Sequence, residues 1–274
     1  MLSYTSGSIQ KINMKKTLLS AHRGGPEDHY APNSLQAIKA VRTIGVDLIE
    51  FDVRVTKDKK FVTLHDESIL YRGKVIPVEQ LTSSVVLKHA KGAIFLKEML
   101  KAIKGHAIAH VDVKDTYSEI AIVDMCQAIV GPDGFIITTL EDESVLKIRT
   151  ARPHIQVALS IGRDTRDMSL VRTIKTRLNE VFPYWRIKKC DPTILALDYK
   201  IARHGIVRWA YRKHLRILLW TMNTPSLIEQ AWKNPYIWAF TTNYPRKAQS
   251  LRPRRSHASV KNKHTKLIPL PYRI

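Results

Sequence analysis

The 274-residue sequence predicts an α/β protein that folds as a (β/α)8 TIM barrel with a small insertion after the third strand. Short runs rich in Val, Ile and Leu recur along the chain and alternate with longer amphipathic segments. This alternation indicates βα units and a parallel sheet. Roughly eight such units in about 250 residues match the size of a (β/α)8 barrel. The apolar fraction of 44% is that of an ordinary globular protein, so the chain can bury a core of this size.

Nine short apolar segments are candidate strands, at residues 17–21, 47–53, 60–64, 107–113, 135–138, 156–161, 194–198, 217–221 and 239–242. The barrel needs eight, so one of the nine is spurious or lies outside it. Four amphipathic segments are candidate helices, at residues 33–45, 95–105, 141–153 and 225–234. The first has Asn33 or Ser34 as its N-cap and Gly45 as its stop signal. Residues 66–98 form a longer connection with turn residues, which could be a small lid over the barrel mouth.

The composition also suggests domain boundaries and a cellular location. We expect an N-terminal extension at residues 1–16, the barrel at 17–248 and a basic, flexible C-terminal tail at 249–274. No run reaches the roughly 18 apolar residues of a transmembrane helix, and the apolar run before residue 22 is too short for a secretory signal. We therefore expect a cytoplasmic protein. Cys126 and Cys190 provide neither a disulfide framework nor a paired metal-ligand spacing.

The charge of the chain is strongly positive, with a formal net charge of +21 at pH 7. Residues 246–274 carry nine Lys and Arg and no acidic residue, and residues 170–216 carry twelve against three acidic residues. Such surfaces favour anionic partners. We expect the tail to contact an anionic membrane surface or another polyanion, and we expect no specific nucleic acid partner.

The stretch DLIEFDVRVTKD, residues 47–58, carries the sharpest chemical signal. Side chains alternate between the two faces of a strand, so Glu50 and Asp52 share one face and apolar residues occupy the other. The two carboxylates then point into the barrel near the C-terminal end of the strand, where barrel enzymes keep their chemistry. Two like charges this close are costly unless one is protonated or a cation lies between them. A divalent ion with oxygen ligands is the simplest solution.

Two further stretches bring polar side chains to the same rim. In FVTLHD, residues 61–66, a strand would deliver His65 there. In AHVDVKD, residues 109–115, three polar residues share a face: His110, Asp112 and Lys114. Asp112 could be a third oxygen ligand, and Lys114 could bind a phosphate oxygen or hold a carboxylate. His110 lies one layer deeper, and we expect it to be a core histidine with satisfied hydrogen bonds.

The stretch AHRGGPEDHYAPNS, residues 21–34, follows the first candidate strand. It can be a simple turn, because Gly-Gly-Pro punctuates chains. It can also be an anion site, with His22 and the Arg23 guanidinium turned toward a phosphate. The neighbouring strand ends favour the anion site, since two histidines, three carboxylates and two cations would converge on one barrel mouth.

The order of these motifs resembles that of the glycerophosphodiester phosphodiesterase family, among the phosphatidylinositol-phospholipase-C-like TIM-barrel phosphodiesterases. The resemblance rests on AHRGG, APNS, GVDLIEFDV, TKD and VTLHD, with later support from WTMN at residues 220–223 and TNYP at 242–245. It runs from about residue 17 to residue 248. It implies an acid/base pair, a set of ligands for a divalent metal ion and a set of substrate-binding residues. These are His22 and His65; Glu50, Asp52 and Asp112; and Arg23, Lys114 and Trp220.

Three positions depart from the family pattern. Pro32 replaces a usual glutamate in the turn after the first strand, which removes a carboxylate from the mouth. Asp112 stands where Glu is commoner, a pattern similar to the sphingomyelinase D-like branch. Asn243 replaces a usual Asp, and we expect this change to be structural.

The resemblance implies metal-dependent hydrolysis of a small-molecule glycerophosphodiester to sn-glycerol 3-phosphate and an alcohol, with Mg²⁺ or Ca²⁺ as cofactor. The two histidines would share the acid and base roles, with the substrate's own neighbouring hydroxyl as nucleophile. One alternative is a lysophospholipase D- or sphingomyelinase D-like enzyme with a lipid substrate, which the basic surface and Asp112 favour. Another is a catalytically inactive barrel that binds RNA or anionic membrane, against which the retention of every implied site residue argues.

Overall fold

In the computed structural model, residues 16–25, 29–162, 183–203 and 205–253 are described, together with positions 173, 176 and 180. The strands are β1 (Leu18–Ala21), β2 (Leu48–Val55), β3 (Phe61–Thr63), β4 (Ser68–Tyr71), β5 (Lys74–Pro77), β6 (Ile108–Val113), β7 (Phe135–Thr139), β8 (Val157–Ile161), β9 (Ile194–Asp198), β10 (Arg216–Trp220) and β11 (Ala239–Thr242). The helices of these residues are α1 (Leu35–Arg42), α2 (Ser83–His89), α3 (Leu96–Ile103), α4 (Glu119–Val130), α5 (Asp142–Ala151), α6 (Tyr184–Cys190), α7 (Ile206–Arg212), α8 (Pro225–Lys233) and α9 (Pro245–Ser250).

Eight parallel strands form a closed barrel in the order β1, β2, β6, β7, β8, β9, β10, β11, with β11 paired back to β1. The predicted (β/α)8 barrel is therefore confirmed, and so are the four predicted helices, which correspond to α1, α3, α5 and α8. Helix α1 begins after Ser34, whose side chain accepts a hydrogen bond from the backbone N–H of Ala37. Of the two candidate caps, Ser34 is thus the one used.

The candidate strand at residues 60–64 corresponds to β3, and it lies outside the barrel. It pairs antiparallel with the end of β2, with Thr63 opposite Val53. The expectation that one of the nine candidate strands lies outside the barrel is therefore confirmed, and β3 brings His65 to the rim by antiparallel pairing with β2. Strand β2 continues past the rim, and the chain turns at Lys59, which has φ +57°, and returns toward Asp52. His65 arrives at the mouth because this hairpin folds back on itself.

Strand β2 illustrates how the interior is layered. Leu48, Glu50 and Asp52 point into the barrel, with Leu48 in the apolar layer at its base and Asp52 at its mouth. Ile49 and Phe51 point outward and are fully buried under the helices. Across the β2–β6 ladder, Glu50 is level with His110, and Asp52 is level with Asp112. The layers expected from alternation along β2 and β6 are thus present.

The layer below the mouth is polar and contains His110. Its Nδ1 lies 3.2 Å from Ser20 Oγ and its Nε2 lies 2.6 Å from Thr138 Oγ1. Burial lowers the pKa of His110 to about 3, so it is neutral in the fold. The prediction of a satisfied core histidine is confirmed.

The insertion after β3 contains the β4–β5 hairpin and helix α2. It has a small core of its own, separate from the main one, formed by Val62, Ile69, Val78, Leu81, Val86 and Ala90. Asp58 ties the insertion to the β2–β3 turn, since its carboxylate accepts hydrogen bonds from the Ser83 backbone N–H at 2.8 Å and the Ser83 hydroxyl at 2.7 Å. This anchor holds the insertion beside the mouth.

At the C-terminal end, the predicted tail boundary at residue 249 falls inside α9, which runs to Ser250. Arg252 donates a hydrogen bond of 2.7 Å to Asp47 and stacks over the Trp232 ring at 4.6 Å. Residues 249–252 therefore pack on the barrel. Residues 1–15 of the extension expected at 1–16, and residues 254–274 of the expected tail, lie outside the described residues. Within the described part of the chain, no helix combines the length and apolar character of a membrane crossing.

Candidate active site

The HRGG stretch forms a short 3₁₀ turn, His22–Gly24, directly after β1. Arg23 has φ +50°, and its backbone N–H donates a hydrogen bond of 2.7 Å to Glu50 Oε2. Gly25 has φ +69°, and a Cβ there would lie 2.7 Å from the Pro245 ring. The second glycine is thus needed because the turn packs against the start of α9. The turn directs His22 and Arg23 into the mouth.

Three carboxylates meet at the C-terminal ends of β2 and β6. Ligand oxygens of Glu50, Asp52 and Asp112 all lie within 4.8 Å of one another. Glu50 and Asp52 are buried, and Asp112 is half-buried. The acidic cluster predicted from the two strand patterns therefore exists as one site.

Two cations lie against this cluster. The Lys114 amine is 2.9 Å from Asp52 Oδ1 and 2.5 Å from Asp112 Oδ2, and Arg23 Nε is 3.2 Å from Asp52 Oδ2. Burial alone would raise the pKa of Asp52, but Lys114 and Arg23 more than offset it and hold this pKa at about 2. Burial by itself would lower the pKa of Lys114, but Asp112 and Asp52 raise it above its ordinary value. Asp52 and Lys114 are therefore charged at neutral pH.

The pKa values of Glu50 and Asp112 are raised, in contrast to the lowered pKa of Asp52. Burial, followed by the charges of Asp52 and Asp112, raises the pKa of Glu50 well above its usual range. Burial also raises the pKa of Asp112, against the effect of Lys114. Three carboxylates share two cations, so the cluster lacks positive charge. A divalent cation with oxygen ligands would supply that charge, and the donor set is of the type that such ions prefer.

His22 lies next to this cluster, with Nε2 3.9 Å from Glu50 Oε2. Its other ring nitrogen, Nδ1, lies 2.5 Å from Asn243 Oδ1. An amide oxygen only accepts, so Nδ1 carries the proton and Nε2 carries the lone pair. Burial and the neighbouring Arg23 lower the pKa of His22 to about 4. Asn243, whose replacement of a usual Asp we expect to be structural, thus bonds the ring of an implied catalytic histidine and fixes its orientation.

His65 is half-exposed and hydrogen-bonds Asp66, with 2.9 Å between Nδ1 and Oδ1. The preceding residue, Leu64, donates its backbone N–H to the Asp52 carbonyl at 3.2 Å, so the β2–β3 pairing brings His65 close to the cluster. The backbone of His65 is fixed by Arg54, whose Nε and Nη2 donate to the His65 carbonyl at 3.1 and 3.0 Å. This guanidinium is itself held by Asp115 at 2.6 Å.

Trp220 lies at the C-terminal end of β10 with its side chain against the barrel interior. A Cβ on Gly162 would approach the Trp220 ring to 3.0 Å, so the two positions are packed together. The Trp220 Nε1 is buried and has no hydrogen-bond partner among the described residues. It is a free donor at the rim.

A cavity of about 390 Å³ opens beside Asp112 and Lys114. Its wall includes residues from the insertion, the segment after β6 and the segment after β7, among them Glu67, Tyr117 and Glu141. The cavity is large enough for a small polar molecule next to the charged cluster.

Three residues with direct contacts to the site were not singled out for it from the sequence. Asn33 donates to Asp52 Oδ2 at 2.9 Å and accepts from the Asp52 backbone N–H at 3.1 Å. Arg54 holds the His65 carbonyl, and Asn243 holds the His22 ring. Pro32, which replaces the family's usual glutamate, is exposed. The next residue in this turn, Asn33, is buried and brings an amide side chain to the site. A side chain that acts through another residue leaves little signal in one sequence.

The sequence model of the glycerophosphoryl diester phosphodiesterase family matches residues 22–246 of this chain. A curated glycerophosphodiester phosphodiesterase from Caldanaerobacter subterraneus subsp. tengcongensis is 43% identical over 54 residues. That match spans 20% of this chain and 22% of the relative's length.

Solved structures share the fold. A glycerophosphodiester phosphodiesterase from Parabacteroides distasonis matches with a TM-score of 0.70 at 19% identity, over 86% of this chain and 96% of the other. One from Thermotoga maritima matches with a TM-score of 0.67 at 20% identity, over 86% and 98%. An Oleispira antarctica phosphodiesterase in complex with the product sn-glycerol-3-phosphate matches with a TM-score of 0.67 at 14% identity, over 86% and 96%. The family match covers most of the barrel and every one of the site residues above, and we conclude that the chain belongs to the glycerophosphoryl diester phosphodiesterase family of enzymes.

Proposed function

We propose that this protein hydrolyses a glycerophosphodiester to sn-glycerol 3-phosphate and an alcohol, with His22 and His65 as its acid/base pair. The observation that carries the proposal is the meeting of His22 with a buried cluster of three carboxylates and two cations at one barrel mouth. Family membership and the product-bound structure from Oleispira antarctica support the choice of substrate.

His22 is suited to accept a proton. Its Nδ1–H is committed to Asn243, so the Nε2 lone pair faces the mouth, and its low pKa keeps the ring neutral at pH 7. A neutral imidazole can take the proton of an attacking hydroxyl. We assign His22 the role of general base in the first step.

His65 is suited to donate a proton. Its Nδ1 bonds the Asp66 carboxylate and so carries a proton, and a second proton on Nε2 could pass to the leaving alcohol. Arg54 fixes the position of the His65 backbone, and with it the ring, by donating a hydrogen bond to the His65 carbonyl. In the second step the roles of the two histidines would reverse.

The phosphate would lie between the two rings. Arg23 and Lys114 offer it positive charge, and the free Nε1 of Trp220 offers a hydrogen bond. We propose that Glu50, Asp52 and Asp112 hold a divalent cation, Mg²⁺ or Ca²⁺, which when bound neutralises charge on the phosphoryl group.

The hydroxyl next to the ester in the glycerol moiety is the proposed nucleophile. The imidazoles of His22 and His65 hydrogen-bond Asn243 and Asp66, and neither bond is to a Ser, Thr or Cys that could form a covalent intermediate. A hydroxyl already tethered to the phosphate gains the advantage of an intramolecular reaction. The first product would then be a cyclic phosphate, which water opens.

The test is turnover of glycerophosphocholine by the full chain, with sn-glycerol 3-phosphate quantified as product. We expect activity with Mg²⁺ or Ca²⁺, none in excess chelator and recovery on adding the metal back. His22→Ala should be inactive, while His154→Ala, which removes an exposed histidine bonded to Gln127, should behave as wild type. Full activity in chelator would exclude the metal assignment, and absence of product under all conditions would exclude the substrate class.

A further inference from the structure

Large exposed apolar side chains are concentrated on one face of the barrel. Nine such side chains occur among the described residues. Five lie between a barrel strand and the helix that follows it: Tyr30, Leu70, Val75, Tyr117 and Tyr244. Segments in these positions all lie at the C-terminal face of a (β/α)8 barrel, which is the face that holds the site. Two more, Tyr184 and Trp185, begin α6 next to Arg186, which bonds the rim at Leu140 and Asp142.

The β4–β5 hairpin presents the most apolar part of this face. Leu70 and Val75 are opposite each other in the ladder and are 67% and 74% exposed. The neighbouring Ile69 belongs to the insertion's own core, so the hairpin has one buried and one exposed apolar face. Its tip carries two basic residues, Arg72 and Lys74. The cavity wall at Glu67, directly before β4, places the base of the hairpin beside the site.

A second part of the same face is the start of α6. Trp185 is 76% exposed there. Arg186 ties this turn to the rim, because it donates to the Leu140 carbonyl at 2.8 Å and to Asp142 at 2.7 Å. Lys188 and Lys189 follow on the same helix and are exposed. Exposed apolar and basic side chains thus occur together on a second element.

A third part is Tyr117, which follows β6 and lines the cavity beside Asp112. It is 90% exposed, and the Lys147 amine lies 5.8 Å from its ring centroid. An exposed apolar side chain with a cation near it therefore occurs on three separate elements around the mouth.

We propose that the mouth face docks onto an anionic lipid bilayer, with the β4–β5 hairpin and Trp185 entering the interface. Trp and Tyr favour the boundary between head groups and acyl chains, Leu and Val favour the apolar side, and Lys and Arg bind anionic head groups. The apolar side chains stand on separate loops around the mouth, which suits a continuous planar partner. The exposed cations of this face, Arg72, Lys74, Lys188 and Lys189, complement such a surface.

This inference deepens the proposed function and rests on it for the substrate class. A mouth seated on a bilayer would receive a phosphodiester carried by a lipid. The proposed internal attack needs a free hydroxyl next to the ester, so the lipid would be a lysophospholipid. Fully acylated phospholipids lack that hydroxyl and would serve as the docking surface only.

The test is co-sedimentation of the full chain with phosphatidylcholine vesicles that contain phosphatidylglycerol. We expect the double variant Leu70→Ser/Val75→Ser and the single variant Trp185→Ser each to weaken binding by roughly tenfold or more. Matched controls are Leu146→Ser and Tyr211→Ser, which change exposed apolar residues that lie elsewhere on the barrel. The controls should bind like wild type.

A second measurement does not depend on the serine variants. Lipids brominated on their acyl chains should quench the fluorescence of the wild-type protein, and Trp185→Phe should remove most of that quenching. Turnover of water-soluble glycerophosphocholine is measured in parallel, so a wild-type protein that turns over this substrate but does not bind the vesicles would overturn only this inference. Mouth and control variants that bind equally, or binding that disappears only when residues 254–274 are removed, would also overturn it.

Discussion

Glu50 and Asp52 are two residues apart on one strand, yet neutralising them should change the stability of the metal-free protein in opposite directions. Glu50 is buried among like charges, and its pKa is raised. Asp52 is buried between Lys114 and Arg23, and its pKa is lowered to about 2. We expect Glu50→Gln to stabilise the fold in excess chelator at pH 7 and Asp52→Asn to destabilise it.

The sign follows from linkage. A carboxyl whose folded pKa is depressed stabilises the fold above its unfolded pKa, and that contribution is lost as the pH falls through the folded pKa. For Asp52 the window runs from 3.8 down to about 2. This difference corresponds to roughly 2 kcal/mol, or a fall in Tm of about 4–8 °C for a domain of this size. Asp52→Asn should lose that contribution.

For Glu50 the sign is reversed. Its ionised form destabilises the fold once the pH exceeds its ordinary pKa of 4.5. Each unit by which the folded pKa is raised costs about 1.4 kcal/mol of unfolding free energy. Gln is neutral and of the same shape, and its carbonyl can still accept the hydrogen bond from Arg23.

The assay is denaturant or thermal unfolding of the wild type and both variants in chelator and in excess divalent metal. Metal at one hundred times its Kd should stabilise the wild type by about 2.7 kcal/mol and both variants far less. Glu119→Gln is the matched control, because Ser144 and Lys147 lower the pKa of this buried glutamate and its neutralisation should destabilise. If Glu50→Gln were the less stable protein in chelator, the view of the cluster as short of positive charge would be refuted.

Four other outcomes follow from the geometry. His22→Ala and His65→Ala should each lower kcat by roughly 10²-fold or more with little change in KM, and a near wild-type kcat would remove that residue from the chemistry. Asn243→Asp should raise the pKa of His22 from about 4, so the acidic limb of the kcat/KM profile should move to higher pH, whereas an unmoved limb would exclude His22 as the base. A substrate lacking the neighbouring hydroxyl should bind without reacting, and the normal substrate should give a cyclic phosphate visible by ³¹P NMR; efficient hydrolysis of the deoxy analogue would point to attack by water. Removing residues 254–274 should leave turnover of a water-soluble diester intact, while a cut before Arg252 should also lower the Tm, because it removes contacts with the barrel; equal stability of the two truncations would contradict this.

Much of the barrel could be predicted because its strands are short apolar runs with a strict period of two. Alternation alone puts Glu50 and Asp52 on one face, and the parallel topology then brings Asp112 level with Asp52. The same reasoning placed His110 one layer deeper, where its two ring nitrogens are satisfied.

The failures came from contacts that local patterns do not encode. A run of three strand residues has the same pattern in a barrel strand and in an antiparallel hairpin, so the sequence could not show which of the nine candidate strands lies outside the barrel. Asn243 and His22 are separated by 221 positions in the sequence, and only the closure of the barrel brings them together. The role of Arg54 could not be recognised from the sequence either, because its partner is the backbone carbonyl of His65 and every residue carries such a carbonyl.

The antiparallel β3 gives the two histidines different kinds of support. His22 lies in the turn directly after the first barrel strand, whereas His65 lies at the edge of an insertion with its own small core. A segment of this kind can be lengthened, shortened or exchanged without disturbing the eight strands. Redesign of the insertion between residues 66 and 95 would therefore change the shape of the cavity beside Asp112, and the His65 backbone would keep its place only if the hydrogen bonds from Arg54 to its carbonyl were retained.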